Sequence, residues 1–308
     1  MGLTTLTGSN SFALKAELDR RVSKFVKEYT DMGLEKLDGE EAEYDRLREA
    51  LESLPFLASR KLVVLRAPSA NKVFIEQAEK LLTELPETTD LIVYEPKLDK
   101  RSGYYKLLKK VTQYQEFNEL DENTLVKWLV DEAKQAGGSL NTNDARYLIE
   151  RLGTDQQLLV NELQKLLTYE PNITRQQIDL LTEPTPQSTI FQLLDAAFAG
   201  QQKRMMELYK EQRAARVEPQ QIIAMLAWQL HVLALVKTAG DKSEADVARE
   251  ARLNPFVVRK SRGITNRLSL AALKDLIHHL AQLDKDLKTK SIDADDAVQA
   301  YLLSLSSG

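Results

Sequence analysis

The first candidate for chemistry is the turn between the first predicted strand and the first predicted helix, Gly8-Ser9-Asn10-Ser11-Phe12-Ala13-Leu14-Lys15. A phosphate-binding loop has the pattern Gly-x4-Gly-Lys-Ser/Thr, because glycines let backbone amides wrap a phosphate and the lysine contacts the terminal phosphates. Counted from Gly8, the second glycine is replaced by Ala13, the lysine by Leu14 and the hydroxyl residue by Lys15. The sequence therefore predicts that this turn binds no nucleotide.

The acidic residues and histidines do not form a convincing catalytic or metal site either. Glu95 follows a predicted core strand, where a magnesium-binding carboxylate would lie, but without a phosphate loop it has no predicted role. His278 and His279 are adjacent, so on a helix their side chains point about 100° apart and cannot share a metal. The aspartates at 293–296 lack the glycine and terminal glutamate of a calcium loop and are predicted to begin the last helix. We expect no metal and no cofactor.

A run of basic residues lies near the C-terminal end of the chain. Residues 184–308 carry 17 Lys or Arg against 14 Asp or Glu, whereas residues 1–183 carry 25 against 32. The cluster comprises Arg249, Arg252, Arg259, Lys260, Arg262 and Arg267. It indicates either a solvated helix face or a surface for nucleic acid or an acidic partner, in which case Arg259, Lys260 and Arg262 would make the contacts.

An apolar turn precedes the most hydrophobic predicted strand. Residues 62–65, Leu-Val-Val-Leu, form an uninterrupted apolar run of strand length, typical of a strand buried on both faces of a parallel sheet. Pro55 ends the preceding helix near Ser53, because proline disfavours helical geometry at the residue before it. Leu54, Phe56 and Leu57 therefore occupy a short turn. They are either loop core tucked under the sheet or an apolar plug held out for a partner.

The order of the predicted elements indicates two kinds of architecture. Strands alternate with amphipathic helices over the first 118 or so residues, which indicates a parallel sheet covered on both faces. From Asp121 onward the strand signals stop and every predicted element is helical. Residues 183–188, Glu-Pro-Thr-Pro-Gln-Ser, are the strongest predicted linker.

Length and composition are those of a soluble protein. The 308 residues allow two or three domains, and the absence of cysteine excludes disulfides and thiolate metal sites. No apolar stretch approaches the ~20 residues that a membrane span needs, and the first residues do not resemble a secretory signal. We expect a cytoplasmic protein that has no membrane contact.

The residues at 53–65, Ser-Leu-Pro-Phe-Leu-Ala-Ser-Arg-Lys-Leu-Val-Val-Leu, resemble a motif of the δ-subunit family of bacterial DNA polymerase III. Members of that family belong to the clamp loader and open the sliding clamp. The resemblance spans nearly the whole chain and includes residues 97–101, 161–166 and 284–289. It implies a fold with an AAA+-like α/β domain at 1–119, an all-α lid at 120–183 and an all-α collar at 184–308.

The resemblance also implies a function and partners. Leu54, Phe56 and Leu57 would enter a pocket on the sliding β clamp. The collar would join the motor (γ/τ) and δ′ subunits, and the assembled complex would act on primed DNA. The chain would have no ATPase of its own and would be a nucleotidyltransferase only as part of the polymerase. Two alternatives stay open: a degenerate P-loop ATPase, and a δ′-like subunit, which the missing zinc-binding cysteines disfavour.

Overall fold

A computed structural model describes residues 2–56 and 58–305. The chain divides into two compact units, residues 1–119 and residues 120–308. The first contains the parallel sheet, and the second is almost entirely helical. This order of an α/β region followed by helices confirms the predicted fold class.

The first unit alternates strands and helices. Its strands and helices, in chain order, are β1 (Leu3–Thr7), α1 (Ser11–Tyr29), β2 (Leu34–Asp38), α2 (Tyr44–Glu52), β3 (Lys61–Arg66), α3 (Lys72–Thr83), β4 (Thr89–Glu95), α4 (Gly103–Val111) and β5 (Gln113–Glu116). Two 3₁₀ turns, Asp31–Gly33 and Pro68–Ala70, precede β2 and α3.

The described strands pair in the order β2-β3-β4-β1-β5, and every pairing is parallel. Helices connect them because a parallel strand can be reached only by a crossover. Alternate residues of β3 and β4 face opposite sides of the sheet. Val63 and Val93 pack with α2, α3 and α4, whereas Val64 and Ile92 pack with α1. The sheet is therefore covered on both faces, which explains why β3 is apolar at successive positions.

One strand of this sheet was missing from the sequence prediction. β2 reads Leu-Glu-Lys-Leu-Asp and pairs only with β3, so it is an edge strand. An edge strand is half exposed and can carry charged residues at positions that a central strand fills with valine or leucine. The sequence therefore lacks the apolar run by which β3 and β4 were recognised.

The second unit contains eleven helices and one minimal pair of strands among its described residues. The elements are α5 (Glu122–Gln135), β6 (Ser139–Leu140), α6 (Thr142–Leu152), α7 (Gln156–Tyr169), β7 (Asn172–Ile173), α8 (Arg175–Leu181), α9 (Pro186–Phe198), α10 (Gln202–Ala214), α11 (Pro219–Thr238), α12 (Glu244–Ala251), α13 (Pro255–Thr265), α14 (Leu270–Thr289) and α15 (Ala294–Leu305). The expectation of no strand beyond Asp121 was wrong, because β6 and β7 pair in parallel over two residues each. Segments this short carry no periodicity that a sequence pattern could reveal.

The predicted linker is shorter than residues 183–188. Pro186 begins α9, with the Thr185 hydroxyl as its N-cap, so the last residues of the predicted linker are helical. Thr185 also donates its backbone N–H to the carbonyl of Arg151 at 3.0 Å, and Ser188 donates its hydroxyl to the carbonyl of Glu150. Helices α5 to α8 share one apolar core and α9 to α15 share others. A domain boundary at 183/184 stays a prediction.

Helix α11 is longer and more apolar than the sequence analysis predicted for any stretch of the chain. It has 20 residues and passes the length and composition test for a membrane span. Its buried residues, among them Ile222, Leu226, Leu230 and Leu233, belong to the apolar core formed with α9, α14 and α15. This packing is that of a core helix, which is hydrophobic on more than one side.

Candidate functional site

The apolar turn before β3 points its described side chains into solvent. Leu54 is 71% exposed and Phe56 is 93% exposed. Neither side chain therefore belongs to the core of the first unit. Of the two interpretations of the sequence, loop core is excluded for Leu54 and Phe56. Leu57, the third predicted contact residue, lies outside the described residues. Large apolar side chains held this far into water are typical of a binding surface.

The side chain of Lys61 fixes the near end of this turn. Helix α2 ends at Glu52, and Ser53 is already extended, as Pro55 requires. The buried ammonium of Lys61 donates to the carbonyl oxygens of Ala50 at 2.5 Å and Ser53 at 2.8 Å, and to the Ser53 hydroxyl at 2.9 Å. A cation at a helix C-terminus satisfies the carbonyls that have no intrahelical partner. Burial lowers the pKa of Lys61.

An ion pair fixes the far end of the turn. Arg60 donates to the carboxylate of Asp90, with Nη2 to Oδ1 at 3.0 Å, and the Gly2 backbone N–H donates to the same oxygen at 2.6 Å. The Asp90 side chain is completely buried. Its burial favours the neutral acid, but the hydrogen bonds from Arg60 and Gly2 outweigh this and lower the pKa of Asp90. Both ends of the loop are therefore held by side-chain contacts, one at the C-terminus of α2 and the other at the start of β3.

The returning part of the loop lies against the 3₁₀ turn before β2. A Cβ added to Gly33 would lie 2.4 Å from the carbonyl oxygen of Arg60 and 3.2 Å from the Ala58 Cβ, so only glycine fits there. The neighbouring residue, Met32, is 71% exposed. Sequence reasoning missed Met32, since a single methionine in a polar segment gives no pattern. It adds an exposed, flexible thioether next in the chain to Gly33, whose backbone contacts the returning part of the loop.

The phosphate-loop position is filled by the chain itself. The backbone N–H of Asn10 donates to the Phe117 carbonyl at 3.0 Å, and the Phe117 N–H donates to the Thr7 carbonyl at 2.8 Å. A Cβ at Gly8, whose φ is 129°, would lie 1.9 Å from the Phe117 oxygen. The Asn10 side chain accepts from the Ala13 N–H and so caps α1. The chain that follows β5 therefore lies where a P-loop would hold phosphate.

Glu95 has a structural partner at the end of β4. Its side chain is 1% exposed and accepts from the Ser69 backbone N–H at 2.7 Å and the Ser69 hydroxyl at 2.9 Å. These bonds tie the 3₁₀ turn after β3 to the end of β4. Burial raises the pKa of Glu95, although the bonds from Ser69 oppose the shift. The hydroxyl of nearby Tyr104 is buried and has no hydrogen-bond partner among the described residues.

The predicted basic cluster is largely paired within the second unit. Arg259 lies 3.3 Å from Glu122, and Arg262 donates to the carbonyl of Lys242. Lys260 lies over the rings of Phe191 and Phe256, at 4.9 Å and 5.8 Å, and burial lowers its pKa. Further pairs join Arg249 to Asp246 and Arg267 to Asp195. A nucleic-acid contact by Arg259, Lys260 and Arg262 stays a prediction.

The remaining candidates have ordinary structural roles. Asp295 accepts from the Tyr209 hydroxyl at 2.6 Å and from Arg213, while Asp293 accepts from the Asp296 N–H at the start of α15. His278 and His279 are neighbours on α14, with ring centroids 6.4 Å apart. Across residues 2–56 and 58–305, no group of three or more His, Cys, Asp or Glu is placed to hold a metal ion.

Comparisons with known proteins identify the family. A family model described as DNA polymerase III, delta subunit, matches residues 5–118, and one described as the DNA polymerase III delta subunit, C-terminal domain, matches residues 187–305. The chain belongs to the DNA polymerase III delta subunit family. A third model, described as a middle domain, matches residues 121–180 of this delta-family chain. Membership makes it the delta component of the DNA polymerase III holoenzyme.

Individual relatives agree with this assignment along nearly the whole chain. The DNA polymerase III subunit delta of Bacillus subtilis is 24% identical, with 97% of this chain and 91% of that protein covered. A probable DNA polymerase III subunit delta of Aquifex aeolicus is 21% identical, with 97% and 89% covered. Among solved structures, the Bacillus subtilis DNA clamp loader delta protein matches with a TM-score of 0.83 at 22% identity. The match covers 100% of the present chain and 96% of the Bacillus subtilis chain.

The base of the apolar turn gives a first test. In Lys61→Met, the carbonyls of Ala50 and Ser53 lose the ammonium that now satisfies them, so we expect a loss of about 1–3 kcal/mol in the free energy of unfolding. Backbone amides near residues 50–54 should also exchange faster with solvent. Lys72→Met, at an exposed lysine in α3, is the matched control and should change stability by less than ~0.5 kcal/mol. Equal effects of the two substitutions would contradict the role of Lys61.

Buried Glu95 gives a pH-dependent test. Because its pKa is raised in the folded state, folding stabilises the protonated acid, and that contribution is present below the unfolded pKa and lost as pH rises through the folded value. Glu95→Gln removes the cost of a buried charge. Denaturant unfolding at several pH values should therefore show the variant gaining stability relative to the parent between about pH 4.5 and neutral pH. A difference that does not change with pH, or that changes in the other direction, would show that Glu95 does not have a raised pKa.

Proposed function

We propose that this chain binds the sliding β clamp through Leu54, Phe56 and Leu57 and opens it for loading onto primed DNA. The observation that carries the proposal is the exposure of Leu54 and Phe56 on a loop whose two ends are fixed. A loop whose two ends are already held in place loses less conformational entropy on binding than one whose ends are free. Its apolar side chains can then contribute most of their burial energy to affinity.

Opening the clamp needs no chemistry from this chain. A ligand shifts an equilibrium between two shapes only by the difference between its affinities for them. In the proposed mechanism the apolar loop fits the clamp protomer better in the opened ring than in the closed one. Binding energy at Leu54 and Phe56 would then stabilise the open ring. ATP-driven rearrangement of neighbouring subunits would expose the loop or withdraw it.

The second unit is proposed to hold the chain in the clamp loader. Residues 184–308 would assemble with the motor (γ/τ) and δ′ subunits in the cytoplasm. Several large apolar side chains are exposed on the helices of this region, which suits an interface. They are Trp228, Leu270, Ile277 and Leu303.

We also propose that the chain has no ATPase of its own. The turn at residues 8–15 lacks the glycine, lysine and hydroxyl residue of a phosphate loop. Its glycine is packed against the Phe117 carbonyl, and Asn10 already accepts from an amide of the first turn of α1. An anion would have to displace both contacts to reach these amides. Isothermal calorimetry should show no saturable ATP binding at micromolar protein, and saturable binding would instead favour the degenerate ATPase.

Removal of the exposed side chains tests the clamp contact. Full burial of two such side chains is worth roughly 3–6 kcal/mol, so Leu54→Ala with Phe56→Ala should weaken clamp binding by about two to four orders of magnitude. Because both side chains are exposed, the melting temperature should hardly change. Surface plasmon resonance with the sliding clamp of the same organism measures the first quantity, and circular dichroism measures the second.

A matched double variant controls for the loss of apolar surface. Tyr169 and Leu180 are 61% and 67% exposed in the second unit. Tyr169→Ala with Leu180→Ala should bind the clamp as the parent does.

A second assay measures release of the clamp from closed circular DNA. The parent chain should release the clamp, and the Leu54/Phe56 variant should not. Wild-type clamp affinity in the Leu54/Phe56 variant would contradict the proposal.

A further inference from the structure

The first unit carries a concentration of positive charge that its overall composition hides. Residues 97–110 contain six Lys or Arg and one Asp, whereas the rest of residues 1–119 contains 13 Lys or Arg and 20 Asp or Glu. The six cations are Lys97, Lys100, Arg101, Lys106, Lys109 and Lys110, and all six are exposed. A basic region within an otherwise acidic domain produces a local positive potential.

Helix α4 presents three of these lysines on one face. At 100° per residue, Lys106, Lys109 and Lys110 fall within an arc of about 100°. Tyr104 and Leu108, on the opposite side of α4, are buried against the sheet. The helix therefore has an apolar face that the fold uses and a cationic face that it leaves in solvent. We call Lys106, Lys109 and Lys110 the α4 basic face.

The cations of this region are less neutralised than those of the predicted cluster at 249–267. Lys106 and Lys110 have no ion-pair or hydrogen-bond partner among the described residues. Lys109 lies 5.4 Å from the Tyr105 ring centroid and 5.5 Å from that of Tyr114, contacts that leave its charge unpaired. In the preceding turn, Lys100 pairs with Glu116 at 2.5 Å, and Arg101 lies 3.4 Å from Asp99.

We propose that the α4 basic face binds the phosphate backbone of DNA. Unpaired lysines on one face of a helix suit a run of phosphates, because each contact releases a condensed counterion without reading a base. A protein partner is disfavoured, since the centres of protein interfaces are depleted in lysine and rich in apolar side chains. The exposed large apolar residues described in the first unit are Met32, Leu54, Phe56 and Val73, and none belongs to α4. Membership of a DNA polymerase holoenzyme places such a substrate within reach.

This inference does not rest on clamp binding, and its test uses DNA without the clamp. The full-length chain is titrated into fluorescein-labelled 20-nucleotide oligo(dT) and into a labelled 20-base-pair duplex, between about 50 and 200 mM KCl, and anisotropy is measured. We expect Lys106→Gln/Lys109→Gln/Lys110→Gln to weaken binding on the order of 10- to 100-fold near 0.1 M salt. The slope of log K against log salt should become shallower by about 2 to 3.

Two further variants make the result specific. Lys15, Lys24 and Lys27 are exposed lysines of α1, and their joint replacement by Gln removes the same charge from the same unit. That control should bind DNA as the parent does, and the triple Lys→Arg variant of the α4 basic face should retain binding. Thermal melting monitored by circular dichroism checks that each variant is folded.

Three outcomes would overturn the proposal. The first is no salt-dependent DNA binding by the parent chain. The second is an equal loss in the α1 control, which would mean that net charge alone matters. The third is a glutamine variant that binds DNA as the parent does but no longer assembles with the other clamp-loader subunits, which would make the α4 basic face a surface for an acidic protein.

Discussion

The buried ammonium of Lys61 is the interaction on which the candidate site depends. It satisfies carbonyls at the end of α2 and, being the first residue of β3, joins the helix end directly to an inner strand of the sheet. The adjacent Arg60 is held by the buried carboxylate of Asp90 on β4. Two consecutive cations thus hold the ends of the turn that carries Leu54 and Phe56.

The turns that follow β1 and β4 are both held by contacts within the first unit. Its parallel sheet places the β1–α1 turn where phosphate would bind, but the chain after β5 packs on Gly8. The carboxylate at the end of β4 secures a neighbouring turn through Ser69. Both turns therefore take part in the packing of the first unit. The sheet supports the loops at its surface, among them the turn that carries Leu54 and Phe56.

Much of the fold could be predicted from the sequence because its central elements have strong local patterns. The apolar run of β3, the stripe of α1 and the break at Pro55 each follow from a few adjacent residues. The edge strand β2 and the two-residue strands β6 and β7 could not be predicted, because their pairing depends on partners distant in the chain. The start of α9 at Pro186 could not be predicted, because Pro184 and Pro186 are equally compatible with a linker.

The candidate site was predictable only in part. The residue types at 54–57 indicated either loop core or an exposed contact, and the exposure of Leu54 and Phe56 in the structure excludes loop core for these two side chains. The partners of Arg60 and Lys61 lie on other elements, so no sequence pattern reveals them. The basic residues at 249–267 are numerous in the sequence, but in the structure most of them have an ion-pair, hydrogen-bond or aromatic partner. The α4 basic face contains fewer cations, and they have fewer partners.

Site-specific photo-crosslinking tests the central claim most directly. p-Benzoylphenylalanine is placed at position 56 or, as a control, at position 73, where Val73 is 49% exposed on α3 of the same unit. Each protein is irradiated with the sliding clamp, alone and within the assembled loader. The account predicts a crosslink to the clamp from position 56 and none from position 73. No crosslink from position 56, or equal crosslinks from both, would contradict it.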